Sequence, residues 1–295
     1  MPGAAMPASS AAHAGPLGIV CGAGEFPIAV AEAVRKTGRP VVLVGFHGYA
    51  SNAIERFPHE WTHFGAFGSL VAIMRRHNVR DIVAVGAVYR PRLKDFRLDL
   101  TTLRILPRLA KLYRGGDDHL LSGVIEIVHD HGFRMISVAD VAPNMTVPEG
   151  VLGAHRPNAD DEADIRFGHS LLRALGPYDV GQAAAVAGKR VLAIEAAEGT
   201  AGMMARLKEM RESGTLRLAD KAGVLVKAPK PGQDRRIDLP AVGVETVAQA
   251  TNAGLRGIAV EAGGTIVPDL AAMVKAADAA GIFLVGIRAD AEPPR

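Results

Sequence analysis

The stretch Leu17–Pro27 has the sequence LGIVCGAGEFP, in which a short apolar run is followed by two glycines and a proline. Apolar residues with helical spacing continue to Lys36, and Val41–Val44 and Asp81–Val85 are further runs rich in β-branched residues. A strand, a glycine-containing turn, a helix and another strand in this order are typical of a parallel sheet covered by helices. This part of the chain therefore predicts an α/β fold.

The same alternation returns in the second half, after a stretch that contains Pro and Gly. We therefore expect two α/β domains with mainly parallel sheets, joined by a linker at 151–160. The domains are expected at 16–150 and 161–295, and 1–15 as a disordered leader. The elements predicted after the first two strands are strands at Asp81–Val85, Met135–Val138, Arg190–Ile194, Val224–Val226, Gly257–Val260 and Phe283–Gly286, and helices at Leu70–His77, His119–His131, Asp161–Leu175, Ala201–Glu209, Val244–Ala253 and Pro268–Ala280.

Composition excludes several classes of protein. Of the 295 residues 48% are hydrophobic, enough for a sizeable core, whereas only 5% are aromatic, which argues against a platform that stacks the bases of single-stranded nucleic acid. The single cysteine, Cys21, excludes an internal disulfide and a multi-cysteine metal site. Because there is neither a signal peptide pattern nor an apolar run long enough to span a membrane, we expect a soluble cytoplasmic protein without a nucleic-acid partner.

The turn at Gly22–Pro27 is the first candidate binding site. Glycines between a strand and a helix let a phosphate approach backbone N–H groups and the helix N-terminus. Pro27 stands where a dinucleotide-binding fingerprint has its third glycine, and the second strand ends without an acidic residue, so the pattern argues against a dinucleotide. Phosphate binding and a purely structural turn both remain open.

Adjacent carboxylates at Asp117 and Asp118 begin the helix that follows a Gly-Gly pair. They are suited either to capping the helix or to holding a cation or a substrate hydroxyl. Histidines nearby lie too far apart along a helix to form a metal triad.

The densest group of polar residues lies between Lys227 and Pro240, directly after a predicted strand. Lysine and arginine neutralise phosphates, and an aspartate binds Mg²⁺ or orients a water molecule. Loops at the carboxyl ends of strands are where α/β proteins place their ligands. We therefore expect a functional loop, with Asp238 as its most important carboxylate. A smaller signal, Glu198-Gly-Thr200, follows another strand and is suited either to capping a helix or to binding a cation.

A basic segment lies at Arg90–Arg114, with eight Lys or Arg residues against two Asp. It would attract an anion such as a phosphate or an anionic membrane face, or it is a solvated surface without a partner. Leucines at 106, 109 and 112 share part of one helix face. On that basis we expect Leu103–Arg114 to associate with an anionic membrane surface.

In order along the chain, these segments resemble the LpxI family of UDP-2,3-diacylglucosamine pyrophosphatases of lipid A biosynthesis. The resemblance runs from Leu17 almost to the C-terminus and rests on the ordered set of motifs rather than on any one of them. The motifs are Gly22-x-Gly-x-x-Pro27, Gly86-Ala-Val-Tyr-Arg90-Pro91, Gly116-Asp-Asp118-x-Leu-Leu121, Thr146-Val-Pro148, Asp179-x-Gly-Gln182, Glu198-Gly-Thr200, Lys227-x-x-Lys-Pro-x-Gln-Asp-x-Arg-x-Asp-Leu-Pro240 and Ala253-Gly-Leu-x-Gly-x-x-x-Glu261-Ala-Gly263.

The resemblance implies Mg²⁺-dependent hydrolysis of a diphosphate to UMP and 2,3-diacylglucosamine 1-phosphate (lipid X), in a Gram-negative bacterium. It implies attack by water at the β-phosphorus, with the lipid-linked UDP-sugar bound between two domains. Ala201 departs from the family, which often has an acidic residue there, so no catalytic role is transferred to that position. The alternative is a nucleotide-sugar or dinucleotide-binding protein without hydrolytic activity.

Residue roles follow from the motifs and the resemblance together. Catalytic roles are expected for Asp238, Lys230 and Arg236, and Mg²⁺ ligation for Asp238 and Glu198. Substrate binding is expected for Gly22, Gly24, Glu25, Pro27, Gly86, Arg90, Asp117, Asp118, Gln182, Thr200, Lys227 and Gln233.

Overall fold

The structure is a computed structural model that describes residues 15–87, 97–112, 117–237 and 239–289, with side chains left out at 109–112 and 117–122. Two compact units divide the chain. The first unit runs to Pro107 and includes Ile125–Ile136, and the second contains Arg108–Val124 and the chain from Ser137 onward. The prediction of two α/β domains is confirmed.

The first unit is built on a parallel sheet of five strands in the order β3-β2-β1-β4-β5. Its inner strands β1, β2 and β4 are almost wholly buried, which explains their continuous apolar sequences. The strands are β1 (Leu17–Cys21), β2 (Val41–Phe46), β3 (His59–Thr62), β4 (Asp81–Val85) and β5 (Arg134–Met135), and the helices between them are α1 (Phe26–Lys36), α2 (Phe67–Arg76), α3 (Leu100–Leu112) and α4 (Asp117–Asp130).

The strand predicted at Met135–Val138 is shorter than expected. After β5 the chain turns into the single helical turn α5 (Val138–Val141). The Ser137 hydroxyl accepts a hydrogen bond from Asp140 N, and the Asp140 carboxylate accepts one from Ser137 N. This reciprocal capping box begins a helix where the apolar pattern suggested a strand.

The second unit contains a sheet of six strands in the order β6-β11-β10-β9-β7-β8. Only β9, β10 and β11 are parallel to one another, because β6 joins one edge antiparallel and the β7–β8 hairpin joins the other. This sheet is therefore mixed, not mainly parallel as expected. Its elements are β6 (Gly150–Leu152), α6 (Ala159–Leu175), β7 (Ala183–Ala187), β8 (Arg190–Ile194), α7 (Gly199–Glu212), β9 (Val224–Lys227), α8 (Val244–Asn252), β10 (Gly257–Glu261), α9 (Leu270–Ala280) and β11 (Phe283–Ile287).

The start of the predicted linker also differs from expectation. Strand β6 pairs with β11, so residues 151 and 152 belong to the second sheet rather than to a connection. Helix α6 then begins at Ala159, where Asn158 and Asp161 form a capping box. The chain between these two elements, 153–158, is the part of the predicted linker that lies outside regular structure.

Both faces of the second sheet are covered by apolar residues. Helix α6 packs on one face through Ile165 and Leu172, and residues of α7, α8 and α9 form the core on the other. Side chains of successive strand residues point to opposite faces. Lys227 thus points toward the α7 face at the end of β9, and Glu261 points toward α6 at the end of β10.

Candidate functional site

The glycine turns of the first unit lie against each other. Gly22 follows β1 and Gly86 follows β4, and a Cβ atom on Gly22 would come within 2.6 Å of Gly86 O. Backbone bonds lock the two turns: Gly22 N donates to Val85 O at 2.8 Å, and Ala23 N donates to Ala87 O at 2.8 Å. These two N–H groups are therefore used within the protein, which favours a structural role for the first part of the turn.

The rest of that turn leads into α1. Gly24 has a φ of 93°, in the left-handed region that favours glycine. Glu25 is the N-cap residue but forms no side-chain capping bond, and Pro27 is buried at the start of the helix, where its missing N–H is tolerated. The predicted binding residues Gly22, Gly24, Glu25, Pro27 and Gly86 are thus brought close together at the carboxyl ends of β1 and β4.

In the second unit, Lys227 anchors a polar network at the end of β9. Lys227 is only 8% exposed, and its Nζ donates hydrogen bonds to Thr200 Oγ1 at 3.0 Å and to Ala241 O at 3.1 Å. A buried ammonium group is stable only when hydrogen-bonded or paired, so the location of Lys227 is determined by these partners.

Glu195 extends the network from the end of β8. Its Oε1 accepts a hydrogen bond from Thr200 Oγ1 at 2.9 Å, and its Oε2 accepts one from Gln182 N at 3.0 Å. The antiparallel pairing of β7 with β8 and β9 brings the start of β7 beside the ends of the other two strands. Sequence reasoning did not select Glu195, although it follows an apolar strand directly, which was a usable signal.

Gln233 connects this network to the loop after β9. Its Oε1 accepts hydrogen bonds from Gln182 Nε2 and Lys230 N, both at 3.0 Å. The Lys230 ammonium group forms an ion pair with Asp179, which precedes β7. Five predicted residues, namely Gln182, Thr200, Lys227, Lys230 and Gln233, therefore lie in one connected polar cluster, which we call the β9 network.

Arg236 lies on the same loop but pairs locally. Its Nη2 and Nε donate to the two carboxylate oxygens of Asp234 at 2.6 and 2.9 Å. The hydrogen bond from Arg236 lowers the pKa of Asp234, and the carboxylate in turn raises the pKa of Arg236. About half of the Arg236 side chain is exposed, so its charge also faces solvent.

Glu198, expected as a metal ligand, is held by an arginine. It precedes α7, and its Oε1 accepts a hydrogen bond from Arg206 Nη2 at 2.7 Å. A backbone hydrogen bond at Glu198 itself, together with the one from Arg206, lowers the pKa of this carboxyl. The group is therefore an ionised carboxylate with a cationic partner about two turns into the helix.

A buried carboxylate, Glu261, lies on the opposite face of the sheet. Arg235 Nη2 donates to Glu261 Oε1 at 2.7 Å, and His169 Nε2 of α6 lies 3.6 Å from Oε2. The loop after β9 thus reaches both faces, because Gln233 contacts the β9 network and Arg235 contacts Glu261. His169 lines a cavity of about 340 Å³ between α6, β6 and β11, whose walls include Val151 and Ile287.

Several expected site residues fall where the structure gives no account. Arg90 and Asp238 lie outside the described residues, and for Asp117 and Asp118 only the backbone is described, at the start of α4. Their assignments stay predictions.

The described residues contain no group of three or more His, Cys, Asp or Glu side chains that could hold a metal ion. Glu195 and Glu198 provide the oxygen donors that Mg²⁺ prefers, but each already accepts hydrogen bonds within the protein. Within the part of the chain that is described, none of the helices is long and apolar enough to cross a membrane.

Comparison with known proteins gives consistent results over nearly the whole chain. The model of the LpxI N-terminal domain matches residues 16–145, and that of the LpxI C-terminal domain matches 148–285. The chain is 35% identical over 277 residues to the UDP-2,3-diacylglucosamine pyrophosphatase LpxI of Caulobacter vibrioides. The aligned region covers 94% of this chain and 99% of that relative.

Proposed function

Because the chain belongs to the LpxI family, we propose that it hydrolyses the diphosphate of UDP-2,3-diacylglucosamine to UMP and 2,3-diacylglucosamine 1-phosphate. The observation that carries the proposal is the β9 network, in which the buried Lys227 ammonium group is held at the carboxyl end of a strand. Preorganised positive groups in a site that excludes water stabilise the charge that develops as a diphosphate bond breaks.

The basic residues of the network and its loop bind the diphosphate in this proposal. The Lys227 ammonium group has a fixed orientation, because Thr200 Oγ1 and Ala241 O accept hydrogen bonds from its Nζ. Lys230 and Arg236 exchange their carboxylate partners, Asp179 and Asp234, for phosphate oxygens when the substrate binds. Both lysines and the arginine then neutralise charge on the departing UMP.

Gln182, Gln233 and Thr200 bind the substrate and keep the loop in place. The Gln233 side-chain oxygen accepts hydrogen bonds from the Gln182 side chain and from Lys230 N. These two side-chain amides therefore hold the loop that carries Lys230 and Arg236. Positioning of this kind contributes to catalysis by holding reacting groups in productive geometry.

Mg²⁺ is part of the proposal as a cofactor held by Asp238 and Glu198 together with substrate oxygens and water. Mg²⁺ is typically bound by one or two carboxylates plus substrate phosphates, which suits a site with few protein ligands. The ion would supply charge neutralisation at the diphosphate. Glu198 would have to give up its bond to Arg206 for this role.

In this proposal the glycine turns of the first unit also bind the substrate, as do Arg90, Asp117 and Asp118. The polar atoms available there are those beyond Ala23, because the Gly22 and Ala23 N–H groups are bonded to the turn after β4. Gly22 and Gly86 therefore act by allowing the two turns to pack closely.

Association with an anionic membrane surface is also proposed, through α3. Of the predicted face, Leu106 is exposed, whereas the side chains of Leu109 and Leu112 lie outside the described part of the chain. Leu100 and Leu103 are also exposed, at spacings of three residues along this helix, with exposed Arg104 beside them. An exposed apolar face flanked by basic residues is typical of a helix that lies on a membrane. Sedimentation with anionic vesicles at low and high salt tests this, and binding that is absent or independent of salt would contradict it.

The experiment for the proposed reaction is release of UMP from UDP-2,3-diacylglucosamine by the purified chain, with Mg²⁺ and with EDTA. We expect UMP with Mg²⁺ and almost none with EDTA. The Asp238→Ala variant should bind substrate but turn over orders of magnitude more slowly, since its interaction is strongest in the transition state. Binding of substrate by wild type without release of UMP would indicate the non-hydrolytic alternative.

A further inference from the structure

Aromatic residues are concentrated in one short part of the first unit. Six of the fourteen Phe, Tyr and Trp residues lie between positions 46 and 67, together with three of the ten histidines. The chain as a whole is poor in aromatic residues, so this concentration requires an explanation beyond average composition. No site was predicted from this concentration of aromatic residues.

The structure gathers several of these rings at the carboxyl ends of β2 and β3. The His47 ring stacks on the Trp61 ring, with centroids 5.2 Å apart and planes inclined by 20°. The His63 ring lies 4.6 Å from that of His47. We call these three residues the ring cluster. Beside the ring cluster, the rings of Phe46 and Tyr49 each contact the Phe64 ring, with centroid distances of 4.7 and 5.2 Å.

The ring cluster is held in place by the backbone and is partly open to solvent. His47 N donates to Thr62 O at 2.9 Å, which fixes the chain at the end of β2. A Cβ atom on Gly45 would lie 2.9 Å from Trp61 Cζ3, so the glycine leaves room for the indole against the strand. His47 is exposed, whereas Trp61 and His63 are half-buried. A fixed, partly exposed ring surface is thus present at the sheet edge.

The position in the sheet is one at which α/β proteins bind ligands. Strand β2 lies beside β1, and the turn at Gly22–Pro27 follows β1 at the same edge. Partial burial and the nearby positive charges of Arg97 and His47 lower the pKa of His63. The surroundings are therefore basic, which suits a ligand that combines a flat ring with phosphate groups.

We propose that the ring cluster is the stacking surface for the nucleobase of the substrate, a pyrimidine under the proposed function on which this inference rests. The base stacks on the exposed His47 ring, which itself lies against Trp61, and its phosphates extend toward the turn after β1. Stacking on aromatic side chains is a general way to bind a base, because every base has a π-face. The first unit would then recognise the nucleotide part of the substrate.

Trp61 is the single tryptophan of the chain and provides a direct probe. Titration of the full-length protein with UDP in the presence of EDTA should change the emission of Trp61. Inorganic pyrophosphate, which lacks the base, should not change it at concentrations that occupy the phosphate site. An equal change with pyrophosphate would overturn the proposal, as would the lack of any change with UDP.

Variants of His47 separate stacking from a structural role. His47→Ala should raise the Kd for UDP about tenfold and the KM for substrate, with kcat nearly unchanged, because a stacking surface is lost. His47→Phe should restore binding, and the matched control His155→Ala, an exposed histidine of the second unit, should have no effect. Equal Kd values for UDP in wild type and His47→Ala would contradict the inference.

The two proposals can fail separately. If wild type releases UMP from UDP-2,3-diacylglucosamine but His47→Ala leaves KM unchanged, only the stacking surface is wrong. If wild type binds UDP through the ring cluster but releases no UMP from the substrate, the proposed hydrolysis is wrong and base binding stands.

Discussion

Lys227 Nζ donates a hydrogen bond of 3.0 Å to Thr200 Oγ1, although 27 positions separate the two residues in the sequence. The Thr200 hydroxyl in turn donates a hydrogen bond of 2.9 Å to Glu195 Oε1, so a buried cation and a carboxylate are connected through one hydroxyl group. Thr200 thereby links the end of β9 to the end of β8. In the proposed function this fixed ammonium group binds the diphosphate.

Substitution of Lys227 by methionine tests this role. Lys227→Met keeps an unbranched side chain but removes the charge, and we expect kcat to fall by about 10²–10³-fold, as for loss of one donor to a developing charge. The control is Lys208→Met, which removes a surface lysine that pairs with Glu212. If Lys227→Met retained more than half of the wild-type turnover, the β9 network would be structural.

The close approach of the two glycine turns predicts a change in stability. A Cβ atom at Gly22 would lie 2.6 Å from Gly86 O and 2.7 Å from Ala87 O, so Gly22→Ala must displace backbone atoms. We expect the free energy of unfolding to fall by about 1–3 kcal/mol, the usual cost of overpacking. Urea denaturation measures it, with Gly15→Ala as the control because its nearest neighbour would be at an ordinary 3.6 Å. Equal stability of the two variants would refute the argument.

The Arg236–Asp234 pair predicts a dependence of stability on pH. Because Arg236 lowers the pKa of Asp234 in the folded state, the pair stabilises the protein above the unfolded pKa of aspartate, about 4. That contribution is lost as the pH falls through the lower, folded value. The difference in unfolding free energy between wild type and Asp234→Asn should thus be constant from pH 5 to 8 and decrease below about pH 4. A difference that grows on acidification would show the opposite sign.

Burial makes the single thiol unreactive. Desolvation raises the pKa of Cys21 to about 12, and the thiolate is the reactive form. We expect no labelling of the native protein by a disulfide reagent at pH 8, and one thiol per chain after unfolding in urea. Rapid labelling of the native protein would mean that the end of β1 opens readily.

The sequence predicts the first sheet well because its strands are apolar along their whole length. The run from Leu17 to Cys21 is buried on both faces, so neither alternation nor pairing is needed to recognise it. In contrast, β3 has the mostly polar sequence HEWT, which does not indicate a strand. Polar residues are tolerated there because β3 lies at the sheet edge and is only partly buried. The second sheet is harder to predict, because Ala183–Ala187 has the composition of a good helix former yet forms a buried strand in a hairpin.

The candidate site is predictable to the extent that its residues are close in sequence. Lys227, Lys230 and Gln233 lie on one loop, so their clustering follows from the chain itself. Glu195 joins them only because β7 pairs antiparallel with both β8 and β9, a tertiary arrangement that no local pattern contains. Glu261 was missed for the same reason, since Arg235 and His169 reach it from separate elements.

The most direct test of the whole account is hydrolysis of UDP-2,3-diacylglucosamine in ¹⁸O-labelled water by the wild-type protein with Mg²⁺. Attack at the β-phosphorus, with UMP as the leaving group, predicts one labelled oxygen in the phosphate of 2,3-diacylglucosamine 1-phosphate and none in UMP. Label in UMP instead would mean attack at the α-phosphorus and would contradict the proposed role of the basic residues in neutralising charge on the departing UMP. Absence of both products would contradict the proposed function itself.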